Sequence, residues 1–196
     1  MKIECTAADV KERLSQYNPD IVPSPEHLKP ASVLMPFYEN ENGLSLIFMM
    51  RPDYPGVHGA QISFPGGQKD TEDEDELGAA LRETEEEIGV NRYDIEVWGG
   101  LSTQQTMSSK YWITPFVGQI PYPYTFNPDQ TEVERLIIIP FSHILNPKNY
   151  SYGDFDFRGY TFPSHMYTFG EDVIWGLTAR ILKSFISFLR TGQELH

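Results

Sequence analysis

Residues 73–89, "DEDELGAALRETEEEIG", constrain this chain more than any other stretch. Leu77, Ala80, Leu81, Thr84 and Ile88 recur at helical spacing and mark one buried face. Asp73 with Glu76 predicts a capping box at the start, and Gly89 predicts a left-handed stop at the end. The difficulty lies in the last turns. Glu83, Glu85, Glu86 and Glu87 gather where carboxylates meet the negative end of the helix dipole, and Glu83 repels Glu87 at i,i+4. Glu83, Glu86 and Glu87 share one face, away from the apolar stripe, while Glu85 points elsewhere. Along the sequence only Arg82 offers a nearby positive charge, four residues before Glu86. A solvated acidic face satisfies this pattern, and so does an oxygen-donor site for Mg2+ or Mn2+.

The chain carries a formal charge of −13 over 196 residues. Such a surface repels a phosphate backbone, so no nucleic-acid partner is expected. A phosphorylated small molecule would need a metal ion to mediate the contact. No apolar run approaches the roughly 20 residues of a membrane helix, so no membrane partner is expected either. The start, "MKIECTAADVKERL", lacks the apolar core of a secretion signal. The single cysteine, Cys5, excludes an internal disulfide and fits the cytoplasm.

Residues 1–30 read as an N-terminal helical extension, capped by Thr6, and a proline-rich connector. Residues 31–196 read as a single domain. "ASVLMPFYENENGLSLIFMMR" predicts a hairpin turning at Asn42-Gly43. "HGAQISFPGG", "IEVWGGL", "WITPFVGQI" and "EVERLIIIP" predict further strands. "FSHIL" predicts a helical turn, and "YSYGDFDFRGYTFPSHMYTF" a hairpin around Gly159. "GEDVIWGLTARILKSFISFLR" predicts a closing helix with Glu171 and Asp172 at its positive end and an apolar stripe from Trp175 to Leu189. Strands come first and helices are interspersed, which indicates a mixed α and β class with a mixed sheet.

"RETEEEIGV", Arg82 to Val90, resembles the signature of the Nudix hydrolases. That signature runs Gly, five residues, Glu, seven residues, then Arg-Glu-apolar-any-Glu-Glu-any-Gly-apolar. Glu74 lies eight residues before Arg82, as the pattern asks. Gly67 sits one residue early, so the loop before the helix is longer by one. "HGAQISFPGG", "TEVERLIIIP" and "IWGLTARIL" are similar to stretches of the coenzyme A pyrophosphatase branch.

The resemblance implies an α/β/α sandwich around a mixed sheet. It also implies metal-dependent hydrolysis of the P–O–P bridge in a nucleoside diphosphate linked to another moiety, such as coenzyme A. It makes Glu83, Glu86 and Glu87 the ligands of Mg2+ or Mn2+, with Arg82 orienting them and Glu86 also placed to act as general base. Gly66 and Gly67 shape the adjoining loop. His58, Arg51 and the downstream Glu132 are further candidates at the substrate or the metal, although loop packing fits His58 better and a solvated loop or strand edge fits Glu132 better. Tyr122, Tyr124 and Phe126 fit either base stacking or strand-end packing. A catalytically silent Nudix module that senses a nucleotide derivative is the alternative. The extension and the aromatic hairpin offer surfaces for a homodimer.

Overall fold

Burial on both faces of one strand fixes the layering. Residues 5–53, 59–106 and 110–192 are described by a computed structural model. After helix α1 (Ala7–Ser15), strand β1 spans Lys29–Asn40 and β2 spans Gly43–Met50. Along β1, Met35 and Phe37 join a core with Val10, Leu14, Leu182 and Phe185. Leu34 and Tyr38, pointing the other way, join Ile88, Val90 and Val133. Period-two alternation with both sets apolar is the pattern of a strand covered on both sides.

The short strands β3 (Ile62–Ser63) and β4 (Gly66–Gln68) lead into α2 (Glu76–Ile88). Strands β5 (Glu96–Gly100), β6 (Gln104–Gln105), β7 (Tyr111–Ile120) and β8 (Arg135–Pro140) follow, then the short helix α3 (Phe141–Ile144). A hairpin of β9 (Tyr150–Phe157) and β10 (Tyr160–Phe169), strand β11 (Asp172–Trp175) and helix α4 (Gly176–Thr191) complete the chain. Among the described residues the large sheet has eight strands, in the order β3-β2-β1-β7-β5, with β4 on β1, β6 on β7 and β8 on β2. The β1–β7 pair is parallel and the β1–β2 pair antiparallel, so the sheet is mixed. Strands β11, β10 and β9 form a second, three-stranded sheet. The expected mixed α and β architecture is the one observed, and no helix of the described residues is long and apolar enough to cross a membrane.

Three local expectations are corrected. Asn40 pairs with Gly43, so the hairpin turns at Glu41-Asn42, and Gly43 takes the positive φ (+105°) just after it. Asp75, not Asp73, caps α2, its Oδ1 accepting from Gly78 N at 2.7 Å. The closing helix starts at Gly176 rather than near Glu171. Asp172–Trp175 pairs with β10 instead, and Gly176 has φ +64°. The aromatic ladder of the small sheet outweighs the helical period there: the Trp175 ring stacks 4.8 Å from that of Phe155.

Gly66 permits the closest approach within the sheet. It has φ +149°, and a Cβ there would fall 2.2 Å from the carbonyl oxygen of Ser32. Gly66→Ala should therefore cost roughly 2 kcal/mol or more. Gly43→Ala, with open space around its Cβ, should cost only the left-handed strain of about 1 kcal/mol. Urea midpoints of the two variants check the contrast.

Candidate active site

Helix α2 lies on the sheet with Ala79, Ala80, Thr84, Glu87 and Ile88 buried, while Leu77 and Leu81 are only partly covered. Glu87 thus belongs to the buried face, 1% exposed, and not to an outer face shared with Glu83 and Glu86. Its burial is tolerated because both carboxylate oxygens have donors. Arg51 Nη2, just past the end of β2, donates to Oε1 at 2.9 Å, and Gly66 N on β4 donates to Oε2 at 2.7 Å. Burial pushes the Glu87 carboxyl up to about 7, opposed by the Arg51 charge and the Gly66 bond and reinforced by Glu83 and Glu132.

The glutamates are not without cations, as the sequence suggested. Arg82 Nη1 donates to Glu83 Oε1 and to Glu86 Oε2, each at 2.9 Å. Its Nη2 reaches the carbonyl of Gln68 at 3.1 Å. Asp73 receives Nε and Nη2 in a bidentate pair, both at 2.9 Å. That pairing holds the Asp73 carboxyl below its usual range and raises the guanidinium further above its own. Glu74, the signature glutamate eight residues before Arg82, is exposed and leaves the guanidinium to Asp73.

Glu83 is half-buried, and burial raises its carboxyl against the opposing Arg82 bond. Glu86 is exposed, its side chain 57% accessible. A Cβ on residue 67 would fall 2.5 Å from the Glu83 carboxyl carbon, so Gly67 is the cradle for that side chain. Glu85 turns away, as expected, and pairs with Arg92 at 2.7 Å.

Glu132 reaches this neighbourhood through a docked loop. Asn127 N and Asp129 N donate to the last carbonyls of α2, Ile88 O and Glu87 O, at 3.2 and 2.9 Å. Gly89, with φ +70°, leaves the space, since a Cβ there would fall 2.6 Å from Asn127 O. Buried Val133 anchors the loop from below. Glu132 is exposed, and its charge is felt at both Glu83 and Glu87. Tyr122 and Phe126 pack on Tyr38, at 5.3 and 5.8 Å between ring centroids, which is strand-end packing. His58 lies outside the described residues.

The donors assembled here are carboxylate oxygens, the set that hard divalent cations prefer. Arg82 occupies one oxygen each of Glu83 and Glu86. Among the described residues, no three acidic, histidine or cysteine side chains stand ready to hold one ion.

Comparisons with known proteins bear on the family of this chain. A family model described as NUDIX domain fits residues 28–159. The chain belongs to the Nudix family. It is 30% identical over 173 residues to a Photorhabdus laumondii protein named uncharacterized Nudix hydrolase NudL, covering 86% of this chain and 91% of that one. A Yersinia enterocolitica protein of the same name is 33% identical over 139 residues, 71% of each chain. A MutT/nudix family protein from Enterococcus faecalis shares the fold, with TM-score 0.52 and 14% identity over 97% of this chain and 71% of that one. Nudix hydrolases generally use divalent ions such as Mg2+ or Mn2+.

Two outcomes are expected. Asp73→Asn should lower stability by about 1–3 kcal/mol, because a charged, two-point partner of Arg82 is lost. Glu74→Gln should stay within about 0.5 kcal/mol of the parent, and denaturant titration separates the two. Glu87 governs a pH effect in metal-free protein. Its folded pKa, about 7, lies above the ordinary 4.5, so the folded state binds the extra proton. Stability should then fall as pH rises from about 4.5 to about 7, by some 1–3 kcal/mol in all, and level off above. Chelator-treated melts across pH 5–8 should show the decline, and Glu87→Gln should flatten it.

Proposed function

We propose that this chain is a metal-dependent pyrophosphohydrolase. Its substrate is a nucleoside diphosphate linked to another moiety, with coenzyme A or a derivative as the compound in view. The supporting observation is the convergence of Glu83 and Glu86 on Arg82 Nη1 beside Gly67, with Glu87 fixed behind them. An all-oxygen donor set in a chain of charge −13 suits Mg2+ or Mn2+ and repels a bare phosphate.

Glu83, Glu86 and Glu87 would hold the metal, with Glu132 in reserve on its loop. Bound there, the ion supplies neutralisation of phosphoryl oxygens and a lowered pKa for a coordinated water. The residues of the chain do the rest. Arg82, clamped by Asp73, would set the orientation of Glu83 and Glu86, each of which has a second oxygen not bonded to it. Glu86, the solvent-exposed carboxylate, takes the proton of the water that attacks phosphorus in line. Arg51 and Gly66 N keep Glu87 from rotating, so its position is prearranged. Gly67 leaves room for Glu83 to move without a steric penalty.

The test is turnover across a panel of diphosphate compounds, with Mg2+, with Mn2+ and with chelator. Coenzyme A should be split into 3′,5′-ADP and phosphopantetheine only with metal. Glu86→Gln and Glu87→Gln should each lower kcat by about 10²-fold or more. Gly67→Ala should lower turnover while keeping its melting temperature, because its Cβ would meet a movable carboxylate and not backbone. Normal turnover in both glutamine variants would remove the assignment. Hydrolysis of a different diphosphate alone would keep the chemistry and discard coenzyme A.

A further inference from the structure

Arg180 and Lys183 stand one turn apart on α4, and neither forms an ion pair among the described residues. In a chain with 28 acidic residues, two neighbouring cations without a carboxylate call for a physical reason. Arg180 is half-buried. Its Nε donates to Gln104 Oε1 at 3.0 Å and its Nη2 to the carbonyl of Gln105, which leaves Nη1 without an acceptor among the described residues. Lys183 Nζ lies 4.8 Å from the centre of the Tyr150 ring. Tyr150 Oη is 2.8 Å from His165 Nδ1, and the Tyr152 ring is 4.9 Å from that of His165. Tyr152 is 62% exposed.

Two electrostatic signs agree with the geometry. Burial, then the charges of Lys183 and Arg180, hold the His165 imidazole below its ordinary value, and no carboxylate opposes them. Burial likewise lowers the Arg180 guanidinium with no acidic neighbour to offset it. The neighbourhood is positive within a strongly negative protein.

This cluster is separate from the glutamates. Gln104, Ile113, Ala31 and Gln68 form one row across β6, β7, β1 and β4, and Arg82 bonds the Gln68 carbonyl at the far end. Three strand spacings put the two ends about 14 Å apart. Ile113 and Ala31 point into the core that α4 covers, so Arg180 approaches from the face opposite α2.

We propose that Arg180, Lys183, His165 and Tyr152 form a second ligand site, which takes a nucleoside monophosphate. Nη1 of Arg180 and the Lys183 ammonium hold the phosphate dianion, and the exposed Tyr152 ring stacks on the base. Orthophosphate shares the anionic half of that chemistry and lacks the planar half.

Calorimetric titration of the full chain in chelator, with AMP, adenosine and inorganic phosphate as separate probes, tests the site. AMP should bind saturably and several-fold more tightly than phosphate, and more weakly as salt rises. Lys183→Gln and Arg180→Gln should each weaken AMP about tenfold. Tyr152→Ala should weaken AMP and leave phosphate unchanged. Arg180→Gln also removes the bonds to Gln104 and Gln105. Lys183 makes no hydrogen bond among the described residues, so Lys183→Gln, checked by its melting temperature, is the deciding variant. No saturable AMP binding, or binding unaltered by Lys183→Gln, overturns the proposal. Loss of AMP binding in Glu83→Gln instead would move the ligand to the glutamate centre and overturn it equally. Phosphate binding as tightly as AMP overturns the nucleotide assignment.

Discussion

A carboxylate with almost no access to water ties together three elements of this protein. Glu87 lies at the junction of α2, the end of β2 and β4, and each of the last two supplies a donor to one of its oxygens. An unpaired charge in that position would cost several kcal/mol, so the three elements must arrive together or not at all. Arg51 compensates the charge, and the Gly66 amide completes the hydrogen bonding. The cost is only partly offset, as the raised pKa of Glu87 records. A group poised in this way gains most from a further positive charge.

The second arginine works differently. Arg82 lies near the surface and is anchored from behind by Asp73, so its front nitrogen is presented to two carboxylates at once. A cation held between like charges removes their mutual repulsion, which explains how a helix can end on a cluster that dipole and spacing rules disfavour. Of the two bonds, the one to Glu86 is exposed and the one to Glu83 is partly buried. Helix α2 therefore combines one deeply buried carboxylate with one half-buried and one exposed, and the docked loop at residues 127–133 adds Glu132 from the side.

The opposite face of the sheet has a different electrostatic character. Helix α4 covers the larger core, and its polar side carries Arg180 to Gln104 and Gln105 of β6 and Lys183 to Tyr150 of the small sheet, with no acid paired to either among the described residues. The sheet thus separates a negative centre from a positive one.

The sequence by itself determined the class of fold, the existence of α2 with its left-handed stop, most of the strands, and the cluster of glutamates after Arg82. Each of these rests on short-range regularities: alternation along β1, helical spacing along α2, and the fixed motif from Arg82 to Val90. What only the tertiary structure decided are the partners that come from far along the chain. Arg51 meets Glu87 across 36 residues because β2 ends where the helix packs, and no local pattern marks that meeting. Asp73, nine residues before Arg82, holds its guanidinium at two points because the loop folds back onto the helix. Residues 172–175 became a strand because β10 offered backbone partners and a stacked aromatic ladder. The isolated helical period there could not reveal this. Glu87 was read as an outward ligand because the sequence shows its spacing to Glu83. Only packing shows that the same position also lies over the sheet, where a carboxylate survives because distant donors reach it.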